Sequence, residues 1–222
     1  MSLNQHHIGV IASSIHTGWT NLTRWWKMTE TSGDIIEYAL GGGTWDGTIG
    51  GGAVQSSIGV VFDGAADWAN VGIVAPGTDD FTMIMRINPT SGTALSRSIC
   101  GGTDCFVLAY DTTYGLIAAK DNDNNSSTTT LTMNTGSVNM IAVIRSGTTF
   151  RFFINGSFEN ESLTADFTGN TSFVAGSNNT YTNRMIGTVR DLCYFTDAKS
   201  DAYITAFYNS GSYTDYEDGD PI

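Results

Sequence analysis

The sequence predicts an all-β protein, a two-sheet antiparallel sandwich, and two observations lead to this prediction. Apolar and polar residues alternate in short runs along the 222-residue chain, which is the pattern of half-buried strands. Turn-forming pairs separate these runs, as at Asp63-Gly64 and Asn155-Gly156. A chain of this length can bury a substantial core as one domain.

The clearest strand covers residues 81–87, in which every second side chain is large and apolar and Pro89 follows as a stop signal. The glycine-rich stretch 41–52 is expected to be a surface loop. The other predicted strands are, in chain order, residues 58–62, 105–110, 115–120, 128–133, 138–144, 149–154 and 185–195.

One segment has helical instead of strand spacing. Ser200 is a suitable N-cap, Tyr203 and Phe207 lie four residues apart, and Gly211 suits the C-terminal end. The pattern predicts one short helix within residues 200–210.

Composition and charge exclude several classes of function. Ten Lys and Arg residues against 22 Asp and Glu residues give a net charge of −12, which is the wrong sign for holding a phosphate backbone. No apolar run approaches the roughly 18 residues that a membrane span requires. The first basic residue other than histidine is Arg24, so a secretory signal is not evident. We therefore expect no nucleic-acid partner, no membrane insertion, and a place at a virion surface or outside the cell.

The chain divides into three parts. Residues 1–20 are predicted to form an N-terminal arm, residues 21–213 the sandwich domain, and residues 214–222 an acidic tail. The arm carries an uncharged, partly apolar stretch at residues 8–15, which would need a surface to cover it. We expect that surface to belong to another subunit of an assembly.

Three cysteines are too few for a disulfide scaffold and lack the paired spacing of a zinc site. They are read as structural thiols. A bridge between Cys100 and Cys105, across the turn that separates them, is the alternative.

Four segments in order resemble the laminin-G-like branch of the concanavalin-A-like lectin/glucanase superfamily, over about residues 22–211. They are residues 24–33 (RWWKMTETSG), 60–68 (VVFDGAADW), 141–156 (IAVIRSGTTFRFFING) and 187–195 (GTVRDLCYF). The resemblance implies a jelly roll with one short C-terminal helix. It leaves function open, because the superfamily includes lectins, carbohydrate-binding modules, adhesion domains, phage and virus structural proteins, and some glycoside hydrolases.

Catalysis is not expected. A glycosidase needs two suitably spaced carboxyl groups, and the superfamily's glucanases carry them in a Glu-x-Asp-x-x-Glu run that this sequence lacks. Glu159 and Glu161 are two residues apart but follow a turn among polar residues, so we interpret them as a solvated edge. The three histidines all lie in the arm, which leaves a hydrolase triad or a zinc site without support.

Calcium is a possible cofactor, because it takes oxygen ligands and many members of the superfamily carry it. Residues 121–125 begin like a calcium loop, but Ser126 and Thr132 stand where an EF-hand requires Gly and Glu. Asp63 and Asp191 lie on the family-like segments near strand ends and are the metal candidates. The alternative is that each aspartate only caps a turn.

Sugar recognition calls for an exposed aromatic platform beside polar groups. Two clusters have this composition, and the alternative is that their aromatic rings cover the sandwich edge or face a partner chain. The candidate ligand-binding residues are Trp45 with Asp46, and Tyr181 with Asn178, Asn179 and Asn183.

The sequence thus predicts a non-catalytic laminin-G-like module that serves as a virion structural or decoration protein and adheres to glycans or a host-surface polysaccharide. Low lysine and high Thr, Ser, Asn and Gly content favour this interpretation. A secreted or cell-surface lectin module is the first alternative, and a glycoside hydrolase is the second.

Overall fold

Two antiparallel β-sheets, packed face to face, form the framework of the computed structural model, which confirms the predicted sandwich. The structure describes residues 19–39, 46–72, 76–90, 97–101, 106–111, 115–120, 126–164, 166–167, 173–176 and 184–212.

The described strands are β1 (Leu22–Trp26), β2 (Thr48–Gly50), β3 (Val54–Ser56), β4 (Gly59–Asp63), β5 (Trp68–Asn70), β6 (Phe81–Pro89), β7 (Arg97–Gly101), β8 (Phe106–Asp111), β9 (Gly115–Lys120), β10 (Ser126–Thr128), β11 (Asn139–Ser146), β12 (Thr149–Ile154), β13 (Ser157–Ser162), β14 (Val174–Ala175) and β15 (Ile186–Phe195). The described helix is α1 (Asp201–Tyr208), which is followed by a 3-10 turn (Asn209–Gly211).

Within the described residues, one sheet has eight strands and the other has seven. The eight-stranded sheet runs β13-β12-β11-β6-β15-β4-β3, and β1 pairs with the C-terminal half of β15. The seven-stranded sheet runs β10-β9-β8-β7-β14-β5-β2. Strands distant in the sequence, such as β6 and β15, are therefore neighbours at the centre of the larger sheet.

The main core lies between the two sheets. Alternation along β6 turns Phe81, Met83 and Met85 inward, and all three are essentially inaccessible to solvent. The Phe81 ring meets Phe150 of β12 edge-on, with centroids 6.1 Å apart. The large apolar residues that occupy every second position in residues 81–87 thus form the inward face of a central strand.

A second apolar layer covers part of the outer face of the eight-stranded sheet. Ile204 and Phe207 of α1 pack in this layer, together with Ile84 of β6. Trp19 stacks on Phe195 at 6.2 Å and meets Phe207 edge-on at 5.3 Å. Both faces of the larger sheet are therefore covered at this end, which explains why β6 is buried along almost its whole length.

The predicted helix is confirmed. Ser200 is the N-cap, and its hydroxyl accepts a hydrogen bond from the Tyr203 N–H at 3.2 Å. Asn209 closes the helix in the left-handed conformation, where the sequence had suggested Gly211.

Two local predictions are wrong. The strand expected at 128–133 ends at Thr128, because the hydroxyl of Thr129 accepts the N–H groups of Leu116 and Leu131 and so replaces part of the ladder. The glycine-rich loop contains strand β2, which pairs with β5. Gly50 fits there because any Cβ would lie 2.2 Å from the Trp68 ring.

Candidate functional site

A pocket of about 170 Å³ opens on the outer face of the eight-stranded sheet, beyond the part that α1 covers. It is lined, among the described residues, by Ile58, Arg86, Ile87, Asn88, Val138, Thr188 and Arg190.

The register of two central strands sets the polar floor of the pocket. Arg86 of β6 is paired with Arg190 of β15, and Asn88 is paired with Thr188. Directly paired residues share a face, and so do residues two apart on one strand. The four polar side chains therefore form a two-by-two block on the outer face.

Two exposed apolar side chains flank this block. Ile58, in the turn between β3 and β4, is 62% exposed, and Val138, just before β11, is 40% exposed. The turn approaches β15 so closely that a Cβ on Gly59 would lie 2.6 Å from Cγ2 of Thr188. Gly59 also has a φ of 131°, so only glycine suits this position. Because glycine has no side chain, the turn can lie close to β15, and Ile58 lies at the rim of the pocket.

A β-bulge places a carboxylate behind the two arginines. The register of β15 with β6 shifts between Arg190 and Cys193, and Asp191 adopts a φ of 53°. Oδ2 of Asp191 lies 2.7 Å from Nη2 of Arg86 and 3.3 Å from Nε of Arg190. One buried carboxylate thus serves two guanidinium groups.

The side chain of Asn88 leaves an unsatisfied acceptor at the pocket. Oδ1 of Asn88 is buried and has no hydrogen-bond partner among the described residues. Buried acceptors in native proteins are normally paired. A hydroxyl group entering the pocket could supply that donor.

Asp191, one of the two predicted metal ligands, is therefore held by arginines. Asp63 lies opposite Ile186, five residues from Asp191 along β15, which corresponds to roughly 16 Å at the rise of a strand. The two aspartates do not share a site. The described residues contain no group of three or more His, Cys, Asp or Glu side chains placed to hold a metal ion.

Asp63 caps the turn after β4, as its alternative interpretation expected. A second carboxylate, that of Asp67, takes part in the same turn. Oδ1 of Asp63 accepts the Ala65 N–H at 2.7 Å, and the Asp63 N–H donates to Oδ2 of Asp67. Asp67 is 1% exposed, and within the described chain its Oδ1 has no hydrogen-bond partner. Burial raises the pKa of Asp67, and the adjacent Asp63 carboxylate raises it further, against the opposing effects of its backbone hydrogen bond and Arg184.

Sequence reasoning missed Asp67, although the spacing Asp-Gly-x-x-Asp within one turn was visible. An oxygen that is buried and unpaired beside a second carboxylate is suited to a hard cation. Calcium takes six to eight oxygen ligands, so backbone carbonyls or water would have to complete such a site. The calcium site remains a prediction.

The predicted glycan-binding residues are placed only in part. Asp46 is exposed, and its Oδ1 accepts the Glu37 N–H at 3.0 Å. The others, Trp45, Asn178, Asn179, Tyr181 and Asn183, lie outside the described residues, as does Cys105. Arg184, where the described chain resumes after residue 183, is four residues from Thr188 of the pocket.

Glu159 and Glu161 lie on β13, the edge strand of the described eight-stranded sheet, as expected, but both are half-buried instead of fully solvated. Oε2 of Glu159 accepts the Thr130 N–H at 2.9 Å and the Thr130 hydroxyl at 3.1 Å. This carboxylate ties the edges of the two sheets together.

Comparisons with known proteins place the fold. Residues 63–205, more than half of the chain, match the family model described as the concanavalin A-like lectin/glucanases superfamily. No curated protein matches the chain. No helix in the described part of the chain has the length and apolar character needed to cross a membrane.

Several solved structures share the fold at low sequence identity. Domain 4 of AbnA, an extracellular arabinanase from Geobacillus stearothermophilus solved with arabinotriose, is 17% identical, with a TM-score of 0.65, over 83% of this chain and 97% of that one. Trypanosoma rangeli sialidase is 12% identical with a TM-score of 0.67, over 88% of this chain and 34% of that one. The botulinum neurotoxin serotype D ligand binding domain, solved with N-acetylneuraminic acid, is 10% identical with a TM-score of 0.67, over 86% of this chain and 51% of that one. The chain thus spans about a third of the sialidase and about half of the neurotoxin fragment.

Proposed function

The chain belongs to the concanavalin A-like lectin/glucanase superfamily, and from this premise we propose that it is a non-catalytic carbohydrate-binding module. The observation that carries the proposal is the pocket on the outer face of the larger sheet. It combines hydrogen-bonding side chains on its floor with the apolar side chains of Ile58 and Val138 at its rim. A sugar ring needs both, because it presents hydroxyl groups and apolar C–H faces.

The structural neighbours support this class of ligand. One is a domain of an arabinanase in complex with arabinotriose, and another is a ligand binding domain in complex with N-acetylneuraminic acid. The first of these is a domain of nearly the same extent as this chain, so a module of this size and fold occurs in at least one carbohydrate-active protein.

The absence of catalysis is part of the proposal. The pocket lining offers no carboxyl group among the described residues, and Asp191 behind it is engaged by two arginines. Glu159, of the one closely spaced glutamate pair in the sequence, is occupied in bridging to Thr130. Neither place supplies the two reactive carboxyl groups that glycoside hydrolysis needs.

A glycan array with the purified chain tests the function. We expect binding to a subset of glycans, and we expect Thr188→Val to weaken it while leaving the thermal melt close to that of the parent. Trp45→Ala is the matched variant for the site predicted from sequence. Loss of binding in the Trp45 variant alone would move the site to the glycine-rich loop, and no binding to any glycan would refute the function.

Within this function, we propose that the module is displayed on a virion. The low lysine and arginine content and the prediction of an N-terminal docking arm support this placement. Trp19, which lies in the predicted arm, packs against Phe195 and Phe207 of the sandwich. Purification from the native source tests the virion role. Copurification with particles supports that role, whereas a free secreted monomer supports the lectin alternative.

A further inference from the structure

The polar floor of the pocket contains an unusual juxtaposition of like charges. Arg86 and Arg190 are direct cross-strand partners on the outer face of β6 and β15. Like charges directly opposite each other on adjacent strands are destabilising. The pair is therefore a cost to the fold that a bound anion would relieve.

Asp191 supplies one negative charge against the two positive charges of this pair. Its carboxylate lies 2.7 Å from Arg86 and 3.3 Å from Arg190, and two guanidinium groups against one carboxylate leave one positive charge in excess. Among the described residues, the pocket lining contains both arginines and no acidic side chain. On a chain with a net charge of −12, this pocket is a local exception.

The two arginines differ in their access to solvent. The Arg86 side chain is 5% exposed and is fixed against Asp191, whereas the Arg190 side chain is 29% exposed. Arg190 is therefore the cation that a ligand can reach. A guanidinium group matches the planar geometry of a carboxylate, with which it forms paired, charge-assisted hydrogen bonds.

The volume of the pocket limits the size of a ligand that carries the anionic group. The pocket volume of about 170 Å³ is smaller than the roughly 300–1,000 Å³ of pockets that enclose a drug-sized ligand. Asn88 and Thr188 stand beside the arginines to meet hydroxyl groups, and Ile58 and Val138 offer apolar contact from the rim. These dimensions suit one sugar unit rather than a longer segment.

We propose that this pocket binds a sugar unit bearing a carboxylate, and that Arg190 pairs with that carboxylate. The inference rests on the proposed carbohydrate-binding function and narrows it to acidic sugars. A uronic acid and a sialic acid share the chemistry that the pocket recognises, so the experiment includes one arm for each.

The test compares matched acidic and neutral ligands by titration calorimetry. The probes are oligogalacturonate with its methyl ester, and sialyllactose with lactose. We expect at least one acid to bind about tenfold or more tightly than its neutral counterpart, a difference of about 1.4 kcal/mol. We expect Arg190→Gln to remove that preference.

Arg151→Gln is the matched control, because Arg151 lies on the same face of the sheet, in β12, and its side chain is 28% exposed. This variant should keep the preference for the acid. Ile58→Asp is an independent variant that leaves the arginines and Asp191 intact, at a position where the side chain is 62% exposed. Loss of the apolar contact should weaken binding of both ligands, but the new carboxylate should weaken binding of the acid more, so that the preference for the acid falls.

Equal affinity of acid and neutral counterpart in both pairs of probes, or a preference that survives Arg190→Gln, overturns the inference. If the chain binds only neutral glycans on the array, the inference fails and the carbohydrate-binding function stands. If it binds no glycan, both fail.

Discussion

Arg86 and Asp191 form an ion pair with a separation of 2.7 Å, and each side chain is only 5% exposed. Arg151 and Asp201 form a pair with the same 2.7 Å separation, but their side chains are 28% and 52% exposed. The two pairs therefore differ mainly in solvation, so that breaking them should have very different consequences.

We expect Asp191→Asn to lower the free energy of unfolding by about 3–5 kcal/mol, because it leaves the buried Arg86 without its counter-charge. Asp201→Asn is the matched control and should cost less than about 1 kcal/mol, since both partners of that pair reach water. Urea unfolding of the two variants measures this difference. Equal, small effects would show that Arg86 finds another partner when Asp191 is neutralised.

The pH dependence of stability should report on Asp67. Burial and the adjacent Asp63 raise its pKa in the folded state above the ordinary 3.8. Its contribution to stability is therefore complete below pH 3.8 and is lost as the pH rises through the folded-state pKa. Asp67→Asn keeps an acceptor for the Asp63 N–H but removes this titration, so we expect the variant to gain stability relative to the parent as the pH rises.

Unfolding of both proteins in calcium-free urea, from about pH 3 to pH 7, measures the difference. Parallel stability profiles would contradict the expected titration of Asp67.

Calcium should stabilise the fold through Asp63 if this aspartate is a ligand together with Asp67. Binding to the folded state alone at a hundredfold excess over Kd adds about 2.7 kcal/mol, or about 5–10 °C in Tm for a chain of this size. We expect chelation to lower Tm by this amount in the parent and not in Asp63→Asn. A melt that is identical with and without chelator would leave Asp63 as a turn cap.

The boundary between the predicted arm and the sandwich can be tested at Trp19. This side chain is 3% exposed between Phe195 and Phe207. We expect Trp19→Ala to cost about 3–5 kcal/mol. Deletion of residues 2–18, which leaves Trp19 in place, should change the free energy of unfolding by less than about 1 kcal/mol and abolish assembly.

Thermal melts combined with size-exclusion chromatography separate these effects. An unfolded deletion variant would make the arm an integral part of the sandwich and remove the main support for the docking role.

No hydrolysis of β-glucan or other polysaccharides is expected from the purified chain. Glu159 is bound to the N–H and hydroxyl groups of Thr130, so Glu159→Gln/Glu161→Gln should reduce stability slightly and leave glycan binding unchanged. Reducing-sugar assays on the parent and the double variant test this. Activity that is present in the parent and lost in the double variant would establish a glycosidase.

Local features were predictable because neighbouring residues decide them. The alternation at residues 81–87 determined which side chains of β6 face the core, and Ser200 determined where α1 begins. The ordered motifs were enough to indicate the superfamily, since each of them is a continuous segment. Strands of two or three residues, such as β2 and β14, were missed because they are too short to show a period.

The candidate site depended on long-range pairing. Asp191 was recognised from sequence as a notable acid near a strand end, and by itself it suggested a metal ligand. Its partner Arg86 lies in β6, more than a hundred residues earlier, and only the register of β6 with β15 and the bulge at Asp191 bring the two side chains together. The sequence by itself determined the sandwich and its helix, through local periodicity and capping. The tertiary structure alone decided that two arginines share one buried carboxylate beneath a pocket, because strand pairing joins residues whose sequence separation carries no local signal.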